Sequence, residues 1–333
     1  MVERDFMFMK NMISPAASLM LALCTTASAQ ELRPEDINNA PIASAQSERP
    51  SSGSPRPDPS IIRLQVLLDR AGSSPGVIDG YDGANVTKAV KAFEAMQGLP
   101  VDGTLDQDVL ARLSDDAASV GSHVVSDEDA RDLVDSIPED YSMQAKMDHL
   151  EYTSVAEKLS ERFHMDIDLL RALNPGSSFA VGDTVSVVLP GLAKEGSVER
   201  IEVRKRAGQV LAYAGDGSLL TAYPATIGSD ETPSPSGIHK VKGVARMPPY
   251  VYNPTVNFQQ GDNSERLTLP PGPNNPVGSV WIDLTQPTYG IHGTPEPSLI
   301  GKAGSHGCVR LTNWDAEELA AMVKPGVAVE FVE

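Results

Sequence analysis

Cysteine, basic charge and long apolar runs are scarce in this sequence of 333 residues. It has two cysteines, and 27 lysines and arginines stand against 45 aspartates and glutamates, for a formal net charge of -18. Nucleic acids and anionic lipid surfaces demand clustered cations that release counterions, so neither is expected as the main partner. The one candidate membrane segment, residues 12 to 24, is too short and too broken by proline to span a bilayer. It follows Arg4 and Lys10 and precedes Ala27-Ser28-Ala29, the layout of an export signal cut after Ala29, so residues 1–29 are expected to be removed. Membrane contact is expected only through that signal. Its removal takes Cys24 away and leaves one thiol, Cys308, with no possible internal disulfide. An unpaired thiol in an oxidising compartment is either buried and inert or kept for its chemistry.

The length suggests two units plus connectors at roughly 150 residues per domain. Residues 30–59 are rich in Pro, Ser, Ala and Asn and are expected to form a disordered linker that lets the next domain range. From residue 60, two stripes at helical spacing appear: Ile61, Leu64, Leu67 and Leu68, then Val86, Ala89, Val90 and Phe93. Asp79-Gly80 and Asp102-Gly103 punctuate them as turns, and a third helix runs through Val109 and Leu113. With Leu64-Gln65 and Lys91-Ala92-Phe93, residues 60–114 resemble a three-helix peptidoglycan-binding domain. Residues 115–150 read as an acidic linker. Residues 155–173 look like two helices, followed by Asn174-Pro175-Gly176 and an apolar strand at 185–189. That pattern, within residues 151–192, is similar to the second half of a LysM module. The opening strand is not evident, so glycan binding and a mere spacer role both stay open.

Residues 197–332 turn to β-structure. Strands fit 198–203, 209–213, 219–227, 237–244, 280–284, 289–292 and 327–332, with a hairpin at Gly215-Asp216-Gly217. Residues 246–276 lack periodicity and are expected to form a lid or binding loop framing the substrate. Thr312 or Asn313 can cap one helix ahead of the last strand. The fold class is therefore α+β and multidomain: a small three-helix domain, a LysM-like spacer, and a mostly β, sandwich-like catalytic domain with one or two short helices.

The chemistry concentrates in His292-Gly293-Thr294 and Ser305-His306-Gly307-Cys308-Val309-Arg310. A thiol of ordinary acidity is only a few per cent ionised at neutral pH, so a nucleophilic cysteine needs an imidazole or a positive dipole beside it. Either histidine can serve. As residues two apart on a strand, His306 and Cys308 share a face. A zinc site of His292, His306 and Cys308 lacks a carboxylate or second Cys at ligand spacing, so no metal or other cofactor is expected. His123, His149, His164 and His239 are expected to be structural or solvated.

Together with Thr232-Pro233 and Gly237-Ile238, these segments resemble the L,D-transpeptidase family in its YkuD-type catalytic domain. The resemblance implies Cys308 as nucleophile and His292 as base, oriented by the Gly293 carbonyl. It also implies ping-pong acyl transfer, with an oxyanion hole from the amides of Gly307 and Cys308. Arg310 would take a substrate carboxylate, and Ser305 and His306 would shape the pocket. The implied partners are peptidoglycan stem peptides and glycan, with meso-diaminopimelate at the bond attacked, in the periplasm or cell envelope. Water as acceptor, an envelope protein's amine as acceptor, and a wall-binding protein with a dead catalytic domain stay open.

Overall fold

The computed structural model describes residues 32–43, 56–229, 232–256, 258–302, 304–305 and 307–333, and the expected export signal lies outside them. Part of the expected linker is ordered. Helix α1 (Pro34–Asn38) buries Ile37 completely. The Oδ1 atom of Asn38 accepts from the amides of Ser119 and Val120 at 2.8 Å, and its Nδ2 donates to the Val120 carbonyl at 3.0 Å.

Helices α2 (Pro59–Arg70), α3 (Ala84–Gln97) and α4 (Gln107–Leu113) follow. Asp58 caps α2 by accepting from the Ser60 amide at 2.7 Å, and Pro59 stands at the first helical position. Leu64, Leu68, Val90, Phe93, Val109 and Leu113 close a small core between the three helices. Its two Asp-Gly turns are held by buried polar side chains. Gln65 Oε1 accepts from Gly80 N at 2.8 Å, and the Glu94 carboxylate accepts from Gly103 N at 2.9 Å.

Strand β1 (Val120–Val124) lies inside the stretch read as an acidic linker and pairs antiparallel with β2 (Thr184–Val188). Between them come α5 (Tyr141–Gln144), α6 (Val155–Arg162) and α7 (Ile167–Leu173). The sequence did not reveal strand β1. Its Gly121-Ser122-His123 centre carries no apolar alternation to read.

The rest is one nine-stranded sheet, built from β3 (Arg200–Arg204), β4 (Gln209–Tyr213), β5 (Leu219–Pro224), β6 (Thr226–Ile227), β7 (Gly237–Arg246), β10 (Val280–Leu284), β11 (Gly290–His292), β12 (Val309–Arg310) and β13 (Ala328–Val332). A separate ladder pairs β8 (Tyr250–Tyr252) with β9 (Leu267–Leu269) inside the expected lid. The sheet runs in the order β5-β4-β3-β13-β7-β10-β11-β12-β6. Its two edge strands are consecutive in sequence, so it curls nearly closed. Strand β7 makes the corner, with residues 237–240 pairing β13 and residues 241–246 pairing β10. The core between the halves gathers Ile201, Val210, Ile282, Ile291 and Val309 with Leu319 from α8 (Asn313–Met322). Thr312 caps α8, its Oγ1 accepting from Asp315 N at 3.2 Å.

These parts are docked on one another. Ser74 N donates to Ala222 O at 2.9 Å, Ile78 N to His164 O at 2.8 Å, and Asn313 Nδ2 to Glu161 Oε2 at 2.9 Å. The helical module does not range on a tether, because residues 32–333 form a single unit.

Candidate active site

Strands β11 and β12 are parallel neighbours, with Ile291 opposite Val309 and His292 opposite Arg310. In that register Cys308 falls opposite Gly290, two residues before Arg310, so its side chain leaves the sheet on the same face as that of His292. A 3-10 turn at Pro297–Leu299 lies in the crossover. His292, Cys308 and Arg310 line one cleft of about 600 Å³, with Thr232, Tyr289 and Trp281 among the other walls.

The His292 ring is buried, stacked on Trp281 with centroids 5.4 Å apart, and its Nδ1 lies 2.7 Å from the Gly293 carbonyl. A carbonyl only accepts, so Nδ1 carries the proton and Nε2 is the basic nitrogen. Burial, followed by the Arg310 cation, holds this imidazole down at about 3. Cys308 is half-buried, and its thiol donates to the Thr288 carbonyl at 3.7 Å. Burial pushes the thiol up, against the pull of the Gly290 amide and the Arg310 cation. At neutral pH the resting pair is a neutral thiol and a neutral imidazole. Any attack by this sulfur would have to shed its proton during the step, since no standing thiolate is present.

The loop before Cys308 is tied down from several sides. Ser305 is buried and its hydroxyl donates to the Cys308 carbonyl at 2.6 Å, so this side chain holds the loop. Thr232 Oγ1 donates to Ser305 O at 3.0 Å, and Ser234 Oγ to Gly307 O at 2.7 Å. Gly307 has φ +101°, and a Cβ there would meet Tyr289 Cε1 at 2.9 Å, so the position excludes other residues on two grounds. His306 lies outside the described residues.

Sequence reasoning missed Asn313. Its Oδ1 accepts from Ser279 N and Thr294 N, both at 3.1 Å, which fixes the chain just after His292. Its Nδ2 donates to Glu161 and to the Pro273 carbonyl. An Asn at a helix start reads as a cap, and nothing in its neighbours marks this second role. Trp281 and the wall residues Tyr141 and Gln144 were missed as well, being far from the motif in sequence.

Residues 199–331 match the L,D-transpeptidase catalytic domain family, and residues 57–113 match a peptidoglycan binding domain. A protein of Bacillus licheniformis named as an L,D-transpeptidase, YkuD, is 31% identical over 175 residues, 52% of this chain and 90% of that protein. Its namesake in Bacillus subtilis is 28% identical over 167 residues, 50% of this chain and 87% of the relative. Among solved structures, an L,D-transpeptidase from Mycobacterium smegmatis aligns with TM-score 0.33 at 21% identity, over 46% of this chain and 65% of that one. With nine tenths of the Bacillus licheniformis relative covered, this chain belongs to the L,D-transpeptidase family of peptidoglycan enzymes and carries a peptidoglycan binding domain ahead of its catalytic one.

Proposed function

We propose that Cys308 is the nucleophile and His292 the general base of an acyl transfer on peptidoglycan stem peptides. The observation that carries this reading is the His292 Nδ1 to Gly293 carbonyl bond, which leaves Nε2 free in the cleft that also holds Cys308. Nε2 takes the thiol proton as sulfur attacks the carbonyl on the L side of the terminal L-to-D bond. The amides of Gly307 and Cys308 receive the oxyanion. The C–N bond then breaks, and D-alanine leaves as an amine with the proton that His292 returns. A thioester remains on Cys308. An acceptor amine attacks it, loses its proton to His292, and departs as an amide while the thiol is regenerated.

Arg310, a fixed planar cation on the cleft, suits a stem-peptide carboxylate, and meso-diaminopimelate is the residue expected at the bond attacked. Ser305 acts by holding the loop that carries Cys308 rather than by lining the cleft. The acceptor is a second stem peptide, and an envelope protein's amine would be handled by the same residues. The enzyme works in the periplasm, exported by the signal in residues 1–29. The module of β1, α6, α7 and β2, with α5 inserted after β1, is LysM-like and contributes glycan contact beside the helical domain.

Intact-mass analysis after incubation with donor tetrapeptide tests the reading. Wild type gains the mass of the tetrapeptide less that of D-alanine, and Cys308→Ala gains nothing. An adduct on the alanine variant, or none on either, refutes it.

A further inference from the structure

The catalytic domain does not build its cleft alone. Residues 137–144 lie between β1 and α6, outside the 199–331 catalytic match, and Pro138, Glu139, Tyr141 and Gln144 wall the cleft that holds Cys308 and Arg310. This wall is anchored to the lid ladder. The Tyr141 ring meets Tyr250, Tyr252 and Phe258 edge-on, with centroids 5.4 to 6.2 Å apart. Gln260 Nε2 donates to Glu139 O at 2.9 Å, and Asn263 Nδ2 donates to Asp140 Oδ1 at 3.0 Å. Wall and lid are thus one piece.

Gln144 is the informative residue in it. It is 7% exposed, and its Nε2 donates to the Pro138 carbonyl at 2.7 Å. That bond fixes the amide's orientation, since the flipped amide would set two oxygens against each other. Its Oε1 is then buried with no hydrogen-bond partner among the described residues. Folded proteins rarely leave a buried acceptor so. Gln144 lines the binding cleft while this atom is closed off from it, so a small shift of the side chain as substrate enters is needed for a ligand's donor to complete the network. Carboxylates of Glu139 and Glu296 line the same cleft and favour a donor-bearing ligand, while Arg310 offers the opposite polarity.

We propose that Gln144 determines substrate specificity: its Oε1 accepts an N–H of the peptide substrate, so a segment outside the catalytic domain selects what Cys308 attacks. This rests on the stem-peptide reading above. The donor is either the substrate's side-chain ammonium or a peptide amide.

Gln144→Met keeps the length and removes the acceptor. D-Alanine release is followed on wild type and variant with the tetrapeptide and with the same peptide acetylated at its side-chain ammonium. Acylation of Cys308 by a carbapenem, a small reagent without that ammonium, is read by intact mass on the same samples. The variant's KM for the tetrapeptide rises about tenfold, the worth of one hydrogen bond to a charged group, with kcat within about twofold and carbapenem acylation unchanged. An ammonium donor makes acetylation cost wild type the same factor and the variant nothing further. An amide donor leaves the variant's loss equal on both peptides. Equal KM in wild type and variant overturns the proposal. Should the variant fail to fold, the Gln144 side-chain amide signals of Cys308→Ala protein must shift on adding tetrapeptide, and unmoved signals overturn it equally. Wild type that takes the carbapenem but is inert to tetrapeptide overturns the stem-peptide reading, and with it a peptide donor for Gln144.

Discussion

The Nδ1 atom of His292 lies 2.7 Å from the carbonyl oxygen of Gly293, the very next residue. The chain orients its own imidazole with a main-chain acceptor, where many hydrolases spend a buried carboxylate. The difference has a chemical consequence. A carboxylate would favour the imidazolium, whereas a neutral carbonyl does so weakly, and here burial and Arg310 keep the ring neutral down to about pH 3.

A neutral thiol beside a neutral imidazole is slow toward simple alkylating agents. Iodoacetamide labelling of Cys308 is expected to rise about tenfold per pH unit between roughly pH 6 and 8, with no plateau below. A preformed thiolate would label at full rate from about pH 5 and exclude this arrangement. His292→Ala is expected to leave the labelling profile nearly unchanged while cutting D-alanine release about 10²- to 10⁴-fold, the range of general-base catalysis.

Gly293 is held against Asn313, since a Cβ at residue 293 would come within 2.1 Å of the Asn313 Oδ1. Gly293→Ala must therefore push that amide off the Ser279 and Thr294 N–H groups it serves. A loss of about 2 to 4 kcal/mol in stability is expected from the steric strain and the unpaired buried donors, with D-alanine release falling at least tenfold. Chemical denaturation and steady-state kinetics on the same protein check both. Asn313→Ala, which leaves the same two donors bare, is expected to show a similar stability loss.

The legible parts of this protein were those carried by local pattern. The stripes of α2 and α3, the Asp-Gly turns, and the strands around Gly215-Asp216-Gly217 all announce themselves within a dozen residues. That His292 and Cys308 share one cleft was legible too, because the two short motifs bearing them lie close in sequence. What stayed hidden depends on distance. Strand β1 is defined by its antiparallel partner, with Val120 opposite Val188, 68 residues later, and not by its own Val-Gly-Ser-His-Val. Asn313 matters through contacts 19 to 152 positions away, and Gln144 through a cleft formed by other elements, which no window of sequence contains.

Buried carboxylates at the junction of α6 and α8 set a pH window for stability. Burial raises Glu161 to about 8, and burial together with Asp69 raises Asp315 to about 7. For a group raised in the folded state, the unfolded chain gives up its proton first. The stability is therefore full below the ordinary carboxylate range and is lost as pH rises toward 7 or 8. His292, held at about 3, acts in reverse: its contribution is full above its ordinary 6.5 and fades as pH falls toward 3. Thermal midpoints are expected to fall on the order of 5 °C between about pH 5.5 and 8.5. Glu161→Gln removes a large part of that fall, and an unchanged pH slope in the variant would show that Glu161 does not set it.

Residues 32–43 provide the last test, because composition reads them as tether while the structure seats them. Ile37 is fully buried, and Asn38 takes both the Ser119 and Val120 amides, which belong to buried residues and so need a partner other than water. Asn38→Ala is expected to cost about 2 to 3 kcal/mol, since two backbone donors and one carbonyl lose a partner. The thermal midpoint would fall on the order of 5 °C. Neither residue lines the Cys308 cleft, so tetrapeptide turnover at 25 °C should stay within about twofold of wild type, as expected of a surface away from the chemistry. A midpoint that does not move would mean that α1 is not docked in solution and that these residues are linker after all.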